Sequence, residues 1–230
     1  MRSIKEREKW LDSHFFIKPK IVKSLKGMNV ERRKHFIGLS SENGEVILPT
    51  IFDDLIFIDP NLVCVCLDRK YGFYNILVNK WVIEPSCETY IINDFYKSIE
   101  IIRDGKHGLI DIENQCLLIS PYYENVSANS KCNYIWVEQN GLFHYIKRST
   151  GEKLNMPGAV DAYDANFKEE EEEVVFIKTR NGTVECMTEK GYLAIPEFRH
   201  IMKRNDGRLK LYNSKKHNFV IIDIYGRILN

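Results

Sequence analysis

Short apolar runs, cut apart by turn dipeptides, are the dominant pattern of this chain, and they are clearest between residues 98 and 126. Ile99-Glu100-Ile101-Ile102 is followed by Asp104-Gly105, a pair suited to a tight hairpin because glycine takes positive φ without steric cost. Gly108-Leu109-Ile110-Asp111-Ile112 is apolar and rich in β-branched residues, Glu113-Asn114-Gln115 breaks it, and Cys116-Leu117-Leu118-Ile119 resumes it. Pro121 lacks the N–H that a ladder needs, so it is expected to end this last strand. The pattern predicts strand a, tight turn, strand b, turn, strand c, proline, then a looser return.

The pattern recurs. Pro49, Pro85, Pro121 and Pro157 are spaced at 36 residues, and Pro196 follows after 39. A fixed period of this size is the signature of a repeat architecture. Lys34, Lys70 and Lys106 each stand 15 residues before a proline, and Phe52-Asp53, Tyr123-Glu124 and Tyr163-Asp164 follow prolines. Glu42-Asn43-Gly44-Glu45, Asn140-Gly141 and Asn181-Gly182 supply further hairpin turns. Strands are expected at Leu62–Leu67, Tyr71–Ile76, Trp81–Ile83, Tyr134–Val137, Leu142–Ile146, Leu154–Met156, Val174–Ile177, Val184–Met187, Tyr192–Ile195, Leu209–Tyr212 and Phe219–Asp223. Phe15–Pro19 reads as a shortened strand c with its proline. No helix-length periodic segment intervenes between these runs, which argues against an α/β fold.

The order Gly-Lys-aromatic-Gly, apolar pair, Asp, then an apolar run with proline and an aromatic-acid pair resembles the bacterial WG-repeat (KWG) family. Asp104–Val126 carries it best, Tyr71–Pro85 and Asn218–Leu229 less fully, over a span from Gly27 to Asn230. The tryptophan slot of that family holds Tyr71 and His107 here, while Trp10, Trp81 and Trp136 lie elsewhere. The resemblance implies a β-rich repeat array that serves as a binding scaffold, with no shared chemistry to carry over.

The fold expected is therefore all-β: tandem three-stranded antiparallel meanders of about 36 residues. They form an open curved array or a propeller-like one, with the open or partly closed array favoured, because propeller blades typically have four strands. Ile4–Ser13, with Ile4, Trp10 and Leu11 among charges, is expected to be a short amphipathic helix capping the bare end of the array. Residues 1–26 would hold this cap and a degenerate first repeat, and residues 27–230 the WG-like repeat domain. Hydrophobic residues make up 44% of the chain, enough for a real core. Lys and Arg number 33 against 32 acidic residues, a net +1 that leaves no field for nucleic acid or an anionic membrane. The charged stretch Met1–Glu8 and the lack of a long apolar run give the expectation of a cytoplasmic chain without a leader or spanning segment.

Candidate chemistry is sparse. Cys64, Cys66, Cys87, Cys116, Cys132 and Cys186 sit largely among Val, Leu and Ile, as small core residues of a reducing compartment do. Cys64-x-Cys66 lacks the gap of a zinc pair, although alternate strand residues share a face. His107 and Asp111 are close in sequence, and His144 occupies the slot of Gly108. Asp111 and Asp223 both precede a turn, where aspartate accepts backbone hydrogen bonds, so a structural role is the stronger reading. Glu169–Glu173 reads as a solvated loop, with cation or basic-partner binding the sharper alternative. The repeat aromatics are expected to plug the gaps between repeats, and the acids after them to pair with the lysine before strand b. No catalytic, cofactor-binding or metal residue is assigned. The function expected is a non-enzymatic scaffold whose partner is another protein. The alternatives are a hydrolytic or transfer enzyme gathering His107, His144 and carboxylates in one pocket, and an accessory domain of a larger assembly.

Overall fold

The computed structural model describes residues 3–14, 18–25, 27–127, 134–154, 158–165, 174–179, 184–188, 191–195, 198–203, 208–213, 215–222 and 228–229, with backbone alone at 14, 25, 161–203, 209 and 222. Among the described residues there is one helix, α1 (Ile4–His14), followed by strands. The first sheet is β1 (Lys20–Leu25), β2 (Met28–Arg33), β3 (Phe36–Ser41) and β4 (Val46–Phe52). The second is β5 (Asp54–Asp59), β6 (Leu62–Leu67), β7 (Lys70–Asn75) and β8 (Lys80–Cys87). The third is β9 (Thr89–Asn93), β10 (Ser98–Arg103), β11 (Lys106–Asp111) and β12 (Cys116–Tyr123). The fourth runs through β13 (Asn125–Val126), β14 (Tyr134–Gln139), β15 (Leu142–Lys147), β16 (Ala159–Ala165), β17 (Val174–Thr179), β18 (Val184–Thr188) and β19 (Gly191–Ile195). The fifth is β20 (Phe198–Lys203), β21 (Leu209–Asn213), β22 (Asn218–Ile222) and β23 (Ile228–Leu229). Strand order in every sheet follows chain order, so the all-β meander repeat is observed.

The three-stranded meander gains a fourth strand. The looser return after each proline is itself a strand, β5 or β9, which pairs with strand a of the next repeat. It carries no tight-turn dipeptide of its own, so its apolar residues had no punctuation to mark them.

The prolines do not end strand c. Pro49, Pro85 and Pro121 lie inside β4, β8 and β12. On β4 and β8 the ladder slips at these points: Leu48 and Phe52 pair with Leu39 and Ile37, and Ile83 and Cys87 pair with Phe73 and Tyr71. Four residues of the bulged strand thus span two of its partner, and a residue without an N–H sits there at no loss. The glycine of strand b makes the bulge possible. A Cβ on Gly72 would lie 2.5 Å from the Pro85 nitrogen, and one on Gly108 2.7 Å from the Pro121 nitrogen. Gly38 faces Thr50 in the same way, at 2.7 Å. The repeated glycine and proline are one device: the glycine clears the space into which the bulge folds.

The fourth repeat lacks it. His144 pairs with Val137, as Gly108 does with Ile101. Leu154 falls outside any strand, against the expectation of a strand c at Leu154–Met156, and β15 pairs directly with β16 through Phe143 and Ala159. The relief moves to the opposite chain: a Cβ on Gly158 would meet Leu142 at 2.7 Å and His144 at 3.1 Å.

The chain divides into two compact units, Met1–Pro121 and Tyr122–Asn230. In the first, α1 starts with a capping box in which Ser3 N–H donates to Glu6 at 2.8 Å and Glu6 N–H to Ser3 Oγ at 3.2 Å. Leu11 is fully buried and joins a core of Leu39, Leu48, Ile51, Phe52, Val63 and Val65 that welds the first sheet to the second. Leu62, Cys64 and Phe73 with Ile99, Ile101 and Ile110 weld the second to the third. In the second compact unit, Tyr134, Tyr145 and Ala159 form a smaller cluster with Trp136 and Phe143 against it.

Candidate functional site

The acid after each proline is where the chain leaves one sheet for the next. Asp53 N–H donates to the Cys66 carbonyl at 2.8 Å, and its carboxylate accepts the Asp68 N–H at 2.7 Å. Glu88 repeats this on the third sheet, donating to Ile102 at 2.9 Å and accepting from Asp104 at 2.8 Å. In the second compact unit Glu124 donates to Glu138 at 2.9 Å and accepts from Gly141 at 3.2 Å. Each acid clasps the a–b turn of the following repeat. A lysine before strand b does pair with the acid at this place in the chain, Lys70 with Glu88, although Glu88 is not one of the acids for which that pairing was expected, and Lys70 is the chief reason the Glu88 carboxyl lies below its ordinary range. Glu88 was not visible as a repeat acid, because Cys87 precedes it rather than an aromatic. Asp53 takes an arginine instead: Arg7 of α1 reaches Asp53 at 2.5 Å, also pairs with Asp68, and lays its guanidinium 4.9 Å from the Phe36 ring.

Of the aromatics that follow the prolines, Phe52 plugs the gap between two sheets as expected, while Tyr123 is half-buried and stacks edge-on with Tyr122. Phe52 is fully buried against Trp81, ring centroids 6.1 Å apart, and burial pushes the Tyr123 hydroxyl above its ordinary range. Tyr71, in the tryptophan slot, meets Tyr90 of the next sheet edge-on at 5.0 Å.

His107 and Asp111 share a face of β11 but stand four residues apart, about 13 Å along a strand. His107 Nδ1 meets Glu100 instead, at 2.5 Å, diagonally across the ladder. Asp111 is fully buried and accepts the Asn114 N–H at 3.1 Å and the Asn114 side-chain amide at 2.9 Å, the turn role expected of it. Asn75 holds the Val78 N–H in the same way, at 3.3 Å. His144 belongs to the second compact unit, where its Nδ1 is buried without a hydrogen bond among the described residues. Burial, and then the Lys153 charge, hold its imidazole below 6.5.

Cys64 and Cys66 do share a face of β6, and no group of three His, Cys, Asp or Glu among the described residues is placed to hold a metal. Burial pushes the Cys64 thiol and the Tyr90 phenol each up to about 12. Glu169–Glu173, Asp223, Pro157, Pro196, Asn181-Gly182 and Cys132 lie outside the described residues, as do the side chains of Tyr163, Asp164 and Cys186.

A recess that the sequence did not announce lies between the start of α1 and the second sheet. It is a cleft of about 350 Å³ lined by Ser3, Ile4, Lys5, Leu67, Trp81, Glu84 and Pro85. Leu67 and Pro85 are buried beneath it, while Lys5 and Glu84 are exposed. The elements that meet here are far apart in sequence, and no local pattern announces that they meet.

With this geometry in view, residues 108–143 match the family model described as WG containing repeat. The chain carries a WG repeat. The matched span runs from Gly108, which lies close against Pro121, to Phe143 of the next strand b. No curated protein matches the chain. Among solved structures, the chain is similar to Hsv2 of Kluyveromyces lactis at 11% identity and TM-score 0.41, covering 77% of this chain and 61% of that one. It is similar to a eukaryotic initiation factor at 13% and 0.40, covering 89% and 62%. The WD40 domain of SCAP from fission yeast follows at 12% and 0.37, covering 77% and 51%. The chain thus spans about three fifths of the first two. Among the described residues no helix is long and apolar enough to cross a membrane.

Proposed function

We propose that this WG-repeat chain is a non-enzymatic binding scaffold for another protein, with residues 27–230 as the repeat domain, 1–26 as its cap, and the cytoplasm as its compartment. The observation that carries the reading is the division of labour among its residues. What the repeats share is spent on structure: Gly72 and Gly108 on the bulges, Asp53 and Glu88 on the turns, Asp111 and Asn75 on the next turns. What is particular to one place is the cleft, where Trp81 and Leu67 form an apolar floor between the charges of Lys5 and Glu84. Such a recess suits a partner's apolar side chain flanked by polar backbone, and a tryptophan in it is the type of residue that anchors interfaces. The balanced charge of 33 basic and 32 acidic residues favours a protein over nucleic acid as partner.

The test is capture of a partner from the native host, followed by titration calorimetry with the purified partner. Trp81→Ala is expected to weaken binding at least tenfold, about 1.4 kcal/mol, and to lower the melting temperature as well, because Trp81 packs on Phe52 and Tyr74, so binding is compared where both forms are folded. A partner bound equally by both forms would overturn the assignment of the cleft. Turnover in an activity screen, lost on substituting His107 or His144, would overturn the scaffold reading itself.

A further inference from the structure

The cleft beside α1 is lined by residues that the repeat does not account for. At positions 36 residues further on, Leu67, Trp81 and Glu84 are replaced by Arg103, Leu117 and Ser120, and at those 36 residues before, by Glu31, Glu45 and Leu48. Pro85 is shared, with Pro49 and Pro121 at its repeat positions. The bulge around that proline shapes the site. Residues three apart on a regular strand point to opposite faces. Strand β8 slips register on both sides of Ile83, and Trp81 and Glu84 line the same cleft.

Two charges face this cleft, Lys5 from α1 and Glu84 from β8. Both are exposed, and among the described residues neither has an ion-pair partner, so they do not neutralise each other. The fold draws little from either. Lys5 stands in the first turn of α1, where the helix dipole disfavours a cation, and the neighbouring Glu6 is held in the capping box. The carboxylate that clasps the next turn is Glu88, not Glu84. Between the two charges the floor is apolar, with Leu67 and Pro85 buried and Trp81 half-buried. About 350 Å³ gives room for one large side chain with backbone on either side of it.

We propose that the cleft takes a short segment of the partner protein in which one apolar side chain lies between an acidic and a basic residue. The apolar side chain packs on Leu67, Trp81 and Pro85, the acid meets Lys5, and the base meets Glu84. Charge complementarity selects this occupant. A uniformly acidic segment gains at Lys5 but is repelled at Glu84, a uniformly basic one the reverse, and a neutral one leaves both charges unanswered. This inference rests on the reading of the cleft as a protein-binding site, and adds the charge pattern of what binds there.

The probe is a displayed library of random heptapeptides, panned on the full chain. Enriched peptides are expected to carry an aliphatic or aromatic residue with an acid on one side and a base on the other. Panning on Lys5→Glu should exchange the acid for a base, and panning on Glu84→Lys the base for an acid. Both positions are exposed, so both variants keep the fold. A synthetic copy of an enriched peptide should bind Lys5→Glu about tenfold more weakly than the unaltered chain, because an attraction becomes a repulsion. Its affinity should also fall as salt is raised. Peptides that carry the apolar residue without the charge pair, or whose charges ignore both substitutions, overturn the proposal. If folded Trp81→Ala loses those peptides, the cleft is still a protein-binding site and only the charge pattern is wrong. If no enriched peptide depends on Trp81, the proposal falls too, and calorimetry with the native partner decides whether the cleft binds protein at all.

Discussion

At the scale of single residues, backbone geometry explains which positions the repeat keeps. Gly108 faces the Pro121 nitrogen so closely that no other residue fits without moving strand c, so Gly108→Ala is expected to destabilise the chain by about 3 kcal/mol, read by chemical denaturation. The opposite change is available at Arg69, which holds φ at +62° in the β6–β7 turn although it has a Cβ. Arg69→Gly should raise stability by about 1 kcal/mol, the cost a side chain bears in the left-handed region. His144 sets a pH dependence. Its folded imidazole protonates below 6.5, while in the unfolded chain it protonates near that value, so the unfolded state takes up the proton first as pH falls. Stability is therefore full above about 6.5 and declines as pH drops toward the folded value. Thermal melts between pH 7.5 and 5 should show that decline, and His144→Gln should flatten it.

At the scale of elements, the legible features were those written in local turn chemistry. Asp104-Gly105 and Asn140-Gly141 both hold positive φ, and the hairpins fall where these pairs place them. Helix α1 was legible from Ile4, Trp10 and Leu11, which do face the core. The return strands β5 and β9 were not: each pairs with the next strand of its own sheet, but the turns that join them, Pro60-Asn61 and residues 94–97, hold no Asn-Gly or Asp-Gly pair to announce a hairpin. The prolines misled for a related reason: their missing N–H excludes them from a regular ladder, but a bulge needs no donor, and only the facing glycine reveals the bulge. The cleft at Trp81 was illegible because α1 and β8 meet in space alone. The attachment of α1 rests on Arg7, whose side chain is 9% exposed between Asp53 and Asp68. Arg7→Ala should cost about 2 kcal/mol, less than a fully buried pair would, because Asp53 and Asp68 are 36% and 42% exposed and water screens them once orphaned.

At the scale of the whole molecule, the division into compact units carries its own expectation. Met1–Pro121 holds α1 and three sheets joined by two shared cores, so a fragment ending at Tyr123, which keeps β12 whole, should fold alone. Its thiols report on this without a ligand or partner. The fragment contains Cys64, Cys66, Cys87 and Cys116, of which Cys64 and Cys87 are buried, Cys66 half-buried and Cys116 exposed. Burial raises the Cys64 thiol to about 12 and lifts Cys66 and Cys87 as well, so little thiolate is present at neutral pH to attack an alkylating reagent. Cys116 should react first, Cys66 more slowly, and Cys64 and Cys87 only when denaturant opens the layer between the second and third sheets. Mass spectrometry of alkylated peptides at rising urea checks the order. If all four react together without denaturant, that layer does not form in the fragment, and the first compact unit depends on the second for its fold.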